Sequence, residues 1–481
     1  MHTPNAPDST HTHGISRRGL LRAGAALAGL SALDAAAPAV HASGRIGPLR
    51  GKKALNAIFM VADGMSNGTL SMADRYSVLS RGTPSRWARL WTTTGVRRAT
   101  QSTHSADSLV TDSAAASSAW SIGRKVNNGA LSVLPDGSAP TPLLMRAKAA
   151  GKAVGVVTTT RVTHATPAGF CANVADRDRE DEIARQMLER RLDVAFGGGA
   201  KHFRTDDARA SETLRIVRDA AQLRTLAADP SRWPAIGRGM TLGVFADSHV
   251  PMVLDRAPNV PSLADMSRVA LDMLARHPGG FVAQIEGGRV DHAGHANDAA
   301  SLLREQLDFD EALGLVADFA LGRDDTLVVI TSDHGTGNPG LTFYGRRGND
   351  SFLRLSRASH SFEWIFDRAA ELPNADAAAD AMPDLVKQAL GITLARDDLD
   401  FLRRSVKGER VDPFSGGNAQ VSVLGSVAAN TFGVAFASHE HTNDYVETTA
   451  LGPGSELLPA YLDNTDLTAL LATALDLPPA P

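Results

Sequence analysis

The chain has 481 residues, 43% of them hydrophobic and 21% charged, with a formal net charge of −4 at pH 7. That composition supports a large core, and the absence of a basic stripe or of aromatic residues interleaved with basic ones excludes a nucleic-acid-binding protein. The single cysteine, Cys171, excludes an internal disulfide and cannot build a zinc–thiolate cage, so metal binding would rest on His and carboxylates.

Residues 1–42 read as an export signal. Arg17 and Arg18 form a twin-arginine pair in SRRGLLR, the weakly apolar run AGAALAGLSALDAAAPAV follows, and small residues end it at VHA. Asp34 interrupts that run; a short N-terminal anchor is the competing reading. No later segment has 18 consecutive apolar residues, so no membrane contact is expected after signal cleavage.

From there the order is strand, loop, helix, repeated. Short apolar runs rich in β-branched residues occupy 54–61, 153–160, 193–198, 280–286 and 326–332, each ending at Gly, Asp or a polar cluster. Between the third and fourth of them, PSLADMSRVALDMLARH carries Leu263, Met266, Val269, Ala270, Met273 and Leu274 at three- and four-residue spacing, with Pro261 and Ser262 at its start. The alternation predicts an α/β fold, a three-layer α/β/α arrangement with a central, mostly parallel sheet. By length alone the chain would hold about three domains, but one α/β domain with an insertion also runs this long. The core is expected over 43–337 and 431–481, interrupted at 338–430 by a crown-like subdomain near the site entrance. That insertion is expected to hold two helices, SHSFEWIFDRAAEL and AADAMPDLVKQAL, and the turn-rich PFSGGN. The strand pattern resumes in VAFASHEHTNDYVETTALGPG, and TDLTALLATAL closes the fold as a helix.

The chemistry-bearing residues fall mostly just past the apolar runs, where open α/β sheets place their sites. They are Asp63 in VADGMS, Ser113 in TDSAAAS, Thr166 in THATP, Glu286, Asp291 and His295 in EGGRVDHAGH, Asp333 and His334 in TSDHG, and His441 in SHEHT. Singly, each has a plain reading: a turn for Asp63, a helix cap for Asp112, a surface pair for Asp291 and His295. Together they supply ligands for several metal ions around one serine. A phosphate monoester dianion repels anionic nucleophiles and a serine hydroxyl is weak at its own pKa, so cations are needed to activate the serine and neutralise the oxygens. Two Zn²⁺ ions about 3.5 to 4 Å apart would do both, and a site of carboxylate, hydroxyl and water suits Mg²⁺.

The segments resemble, in order and spacing, those of the alkaline phosphatase family of zinc-dependent phosphomonoesterases. The resemblance covers 54–335 and 437–480, including FGGGAKHF (196–203), GVFADSHVPMVLDR (243–256) and PSLADM (261–266). It implies that Asp291, His295 and His441 hold one Zn²⁺ and that Asp63, Asp333 and His334 hold a second beside Ser113. Asp63 would also bridge to one Mg²⁺ bound by Thr166 and Glu286. Arg177, ten residues after Pro167, stands where the family clamps phosphate with an arginine. The implied reaction has two in-line steps, attack by Ser113 to give a phosphoserine and then its hydrolysis. His164 and His292 replace the Asp and Lys of some bacterial members, as in the animal enzymes; they are expected beside the phosphate, and imidazole there would make the third metal site more tolerant of zinc. His439 is expected to support its neighbours rather than bind metal. The resemblance further implies broad specificity for small-molecule phosphate monoesters, periplasmic or secreted location by twin-arginine export, and leaves a homodimer open.

Two other readings stand beside it. A diesterase or sulfatase could use the same fold, although the only stretch similar to a sulfatase C/S-x-P-x-R motif, GTPSR (82–86), begins with Gly82. A phosphate- or zinc-binding protein without activity could keep the cage, but would have no use for Ser113.

Overall fold

Ten strands form the central sheet of the computed structural model, which describes residues 51–203, 214–411 and 419–478. They are β1 Asn56–Ala62, β2 Arg97–Ser102, β3 Ala153–Arg161, β4 Val194–Gly198, β5 Leu214–Val217, β6 Met240–Val244, β7 Phe281–Gly287, β8 Thr326–Thr331, β9 Val446–Leu451 and β10 Tyr461–Asp463. Their order across the sheet is β10-β2-β9-β8-β1-β7-β3-β4-β6-β5. Among the described residues β9 alone runs against its neighbours in this sheet, pairing antiparallel with β2 and β8. The expected export signal over 1–42 and the PFSGGN turn lie outside the described residues.

The strands expected from the apolar runs are β1, β3, β4, β7 and β8. β1, β7 and β8 are buried along their whole length, because helices cover both faces and leave no reason for polar alternation. Asn67–Arg81, Leu263–Leu274 and Ala299–Leu321 pack on one face. Ser113–Ile122, Leu143–Ala149, Glu180–Arg190 and Asp466–Leu475 pack on the other, where Trp120 and Phe170 close on Phe59 at ring-centroid distances of 5.1 and 5.2 Å. Among the described residues no helix is long and apolar enough to cross a membrane.

Register brings the site together. Val61 pairs with Glu286 and with Thr331, and Thr158 pairs with Glu286, so Asp63, Glu286 and Asp333 emerge at the carboxyl ends of adjacent parallel strands. Between β8 and β9 the described residues run through Gly345–Leu353, Phe362–Ala370, Ala375–Leu390, Arg396–Val406 and Ala419–Phe432, five α-helices among the described residues where two were expected. Phe362–Ala370 and Ala375–Leu390 are the two expected. Gly345–Leu353 offers only Phe352 and Leu353 as large apolar residues, and in Arg396–Val406 the stripe Leu399, Leu402 and Val406 is short and set among charged residues, so neither reads as a helix from its sequence. Two antiparallel ladders tie the ends of this excursion: Pro339 to Leu341 against Val434 to Phe436, and Gly335 and Thr336 against Thr442 and His441.

Candidate active site

Ser113 is the first residue of the helix Ser113–Ile122, every residue of which is buried. Asp112 caps that helix, its Oδ1 accepting from the Ala115 N–H at 2.9 Å. The exposed N–H groups and aligned peptide dipoles of a helix start favour negative charge, which suits a hydroxyl that must bind an anion or become one. The Ser113 hydroxyl lies 3.3 Å from His334 Nε2.

Three groups of side chains could each hold a metal ion, their candidate ligand atoms lying within 4.8 Å of one another: Asp291, His295 and His441; Asp63, Asp333 and His334; and Asp63, His164 and Glu286. Thr166 joins the third group, its hydroxyl donating to Asp63 Oδ2 at 3.2 Å. Glu286 Oε2 accepts from the Thr158 hydroxyl and, at 3.3 Å, from that of Thr160. His292 belongs to none of the groups.

The imidazoles are oriented from behind. His295 Nδ1 donates to the His439 carbonyl at 2.7 Å, and His441 Nδ1 to the Thr111 carbonyl at 3.0 Å. Thr336 donates its hydroxyl proton to Asp291 Oδ1 at 2.6 Å and so can accept from His334 Nδ1 at 3.3 Å. All three rings therefore turn an Nε2 lone pair toward carboxylates. His295 and His441 Nε2 each stand 3.5 Å from Asp291 Oδ1, and His334 Nε2 stands 3.1 Å from Asp333 Oδ2. Lone pairs facing carboxylate oxygens need a cation between them. The buried oxygens Asp63 Oδ1, Glu286 Oε1 and Asp333 Oδ2 make no hydrogen bond, a costly state for anionic groups unless a metal takes them up. His and carboxylate donors suit Zn²⁺, and the carboxylate and hydroxyl set of Asp63, Thr166 and Glu286 suits a harder ion.

Electrostatics point the same way. Burial, and then the neighbouring Asp333, Asp291 and Glu286, hold the Asp63 carboxyl well above its usual range, and burial pushes Glu286 up to about 7. Burial also works against Asp291, but His295, His441 and His334 outweigh it and keep that carboxyl well below its usual value. Against burial, Asp291 draws His441 up to about 9, so that without metal a proton occupies ground meant for a cation.

A cleft of about 470 Å³ opens over Ser113 and is lined by His164, Arg177, His292 and His441 among others. Arg177 is fixed on both arms: Nη1 donates to Asp112 Oδ2 at 2.9 Å, and Nη2 lies 3.0 Å from His164 Nε2. Burial and then Arg177 hold His164 well below the usual imidazole range; burial and then Arg289 do the same to His292.

The structure thus gathers Asp63, Ser113, His164, Thr166, Arg177, Glu286, Asp291, His292, His295, Asp333, His334 and His441 around one cleft. Sequence reasoning missed His249, whose ring lies 4.5 Å from that of His292 and 5.6 Å from that of His164. It also missed Thr336, the hinge between Asp291 and His334, and the second duty of Asp112 as the anchor of Arg177. The resemblance of GVFADSHVPMVLDR was the one signal that touched His249.

The profile of the family described as Alkaline phosphatase matches residues 54–477, and the chain belongs to that family. It is 38% identical over 350 residues to the repressible alkaline phosphatase of Saccharomyces cerevisiae, a match covering 65% of this chain and 61% of the yeast protein. To alkaline phosphatase 3 of Bacillus subtilis it is 29% identical over 374 residues, covering 76% of this chain and 77% of that one. The crystal structure of Thermus thermophilus alkaline phosphatase superposes with a TM-score of 0.82 at 33% identity, covering 92% of this chain and 96% of that chain. Family and fold are therefore those that the sequence motifs led one to expect.

Proposed function

We propose that the chain hydrolyses phosphate monoesters to an alcohol and inorganic phosphate through a phosphoserine on Ser113. The observation that carries this reading is the Ser113 hydroxyl, set at a buried helix start 3.3 Å from His334 Nε2 and beneath a cleft lined by Arg177. Asp291, His295 and His441 would hold one Zn²⁺, Asp63, Asp333 and His334 a second, and Asp63, Thr166 and Glu286 one Mg²⁺. Bound there, the ions supply Lewis-acid charge that lowers the serine pKa and offsets charge on the phosphoryl and leaving oxygens.

The chain's own groups do the rest. Arg177 presents a guanidinium fork to two phosphoryl oxygens, pre-aimed by Asp112, so little order must be imposed when substrate binds. His164 and His292 add neutral imidazoles to the same wall. Ser113 gives up its hydroxyl proton to solvent and its oxygen attacks phosphorus; the ester P–O bond breaks, and the departing alkoxide takes a proton from solvent and leaves as alcohol. Water then attacks phosphorus from the vacated side and loses a proton to solvent; the serine O–P bond breaks, inorganic phosphate leaves, and the Ser113 oxygen is reprotonated. The clamp on a terminal dianion favours monoesters over diesters, and the open cleft favours broad specificity. The Arg17–Arg18 signal supports a periplasmic or secreted location.

The test is release of phosphate from an aryl monoester and from its methyl diester, with Zn²⁺ and Mg²⁺, with chelator, and with Ser113→Ala. Metal-dependent monoester turnover at alkaline pH that vanishes in the variant is the expected result. Equal or faster diester turnover would overturn the monoesterase reading, and unchanged activity in Ser113→Ala would overturn the phosphoserine.

A further inference from the structure

Arg289 opens the helix Arg289–His295, and its side chain is only 5% exposed. Its guanidinium has two partners. Nη1 lies 2.6 Å from His292 Nδ1, and Nη2 donates to Glu363 Oε2. Glu363 lies in the first turn of Phe362–Ala370, inside the excursion between β8 and β9. That helix start is pinned to the core: Asp298 Oδ2 accepts from the Phe362 N–H at 2.7 Å, and Asp255 Oδ1 accepts from the Ser361 N–H at 3.3 Å.

Arginine carries donors only. His292 Nδ1 must therefore offer its lone pair to Arg289, which leaves the ring proton on Nε2, and His292 lines the cleft. His249 packs edge-on against the same ring at 4.5 Å, so the imidazole has little freedom to swing.

We propose that Glu363 is a positioning residue for phosphate recognition: through Arg289 it fixes His292 as an Nε2–H hydrogen-bond donor to a phosphoryl oxygen of the substrate. This rests on the phosphomonoesterase reading above and gives the inserted segment a share in the site. The Arg289 Nε has no partner of its own, so loss of Glu363 leaves His292 as the one acceptor steering the guanidinium. The guanidinium would then turn, His292 could exchange tautomers, and an Nε2 lone pair would face the anion and repel it. Glu363 is itself half exposed, so its pairing adds little to stability and its effect should fall on binding.

The experiment compares Glu363→Ala, Glu363→Gln and Glu371→Gln, the last breaking an exposed pair with Arg368 at the far end of that helix. In Glu363→Ala, KM for an aryl phosphate and the inhibition constant for inorganic phosphate should rise about fivefold, the worth of one hydrogen bond, with kcat within about twofold. Glu363→Gln, which keeps an acceptor, should recover most of that loss, and Glu371→Gln should match the native chain. Nitrogen NMR of the metal-free protein with labelled imidazoles should find His292 in the Nε2–H form. Unchanged KM and phosphate inhibition in Glu363→Ala, a fall in kcat alone, or an Nδ1–H tautomer of His292 in the native chain would each overturn the proposal. An inactive native chain with His292 in the Nε2–H form would instead count against the phosphomonoesterase reading, because the tautomer is read without metal or substrate.

Discussion

The carboxylate of Asp112 holds Arg177 with one oxygen, at 2.9 Å, while its other oxygen caps the helix that begins at Ser113. One side chain therefore sets the distance between nucleophile and clamp. Asp112→Asn keeps a capping oxygen but loses the charge on Arg177: KM should rise about tenfold, as for a charge-assisted hydrogen bond, with little change in unfolding free energy. Asp112→Ala should add a loss of about 1 kcal/mol in stability from the missing cap. Steady-state kinetics and urea unfolding separate the two effects.

Removing metal should reshape the pH dependence of stability. In the metal-free protein Asp63 and Glu286 are both raised above their unfolded values, Glu286 from 4.5 to about 7. Their protonated forms are favoured in the native state; for Glu286 this stability is present in full below pH about 4.5 and is lost as pH climbs through about 7, and Asp63 loses its share in the same direction as pH rises. Asp291, shifted the other way, contributes its loss only at lower pH. Urea midpoints of chelated protein should fall across that window, whereas metal-loaded protein should show no such fall; a flat profile for the chelated chain would contradict the raised carboxyls.

Gly64 follows Asp63 with φ at +71°, and a Cβ there would lie 2.6 Å from Asp291 Cα and 2.7 Å from its Oδ1. Gly64→Ala should cost about 1 to 3 kcal/mol in backbone strain alone and, by displacing Asp291, weaken metal retention on dialysis. Gly82→Ala, at φ +73° but with open space around it, isolates the strain component and should leave metal content unchanged.

Cys171 is fully buried and its thiol is pushed up to about 12 by burial. Folded protein at pH 8 should resist thiol reagents and react only on unfolding. Since the unfolded thiol ionises near 9.0, its neutral burial ceases to stabilise the fold as pH rises from there through about 12. Fast labelling of native protein would contradict this.

The parts of the fold legible in the sequence were those where burial on both faces writes an uninterrupted apolar run, as in β1, β7 and β8. β2, RRATQS, is half exposed and reads as loop, and β10 has only three residues, too few for any periodicity. The site was legible where chemistry is concentrated in short motifs, hence Asp63, Ser113, Asp291 and His334. His249 and Glu363 escaped because no local motif assigns them a role: each matters through a partner distant in sequence, His164 for the first and Arg289 for the second. Pairings of that kind become visible only when the chain is folded.

The two ladders that tie Gly335–Leu341 to the segment 434–442 hold both ends of the long excursion against the residues beside the cleft. With its ends fastened, the loop closes at a cost that grows only slowly with its length, about 0.6 kcal/mol for each doubling. The segment behaves as a cartridge in a socket: it can lengthen, shorten or be recomposed while His334 and His441 keep their places. Apart from the helix start that carries Glu363, evolution can thus rework the surroundings of the cleft while the ligands at its floor stay in place.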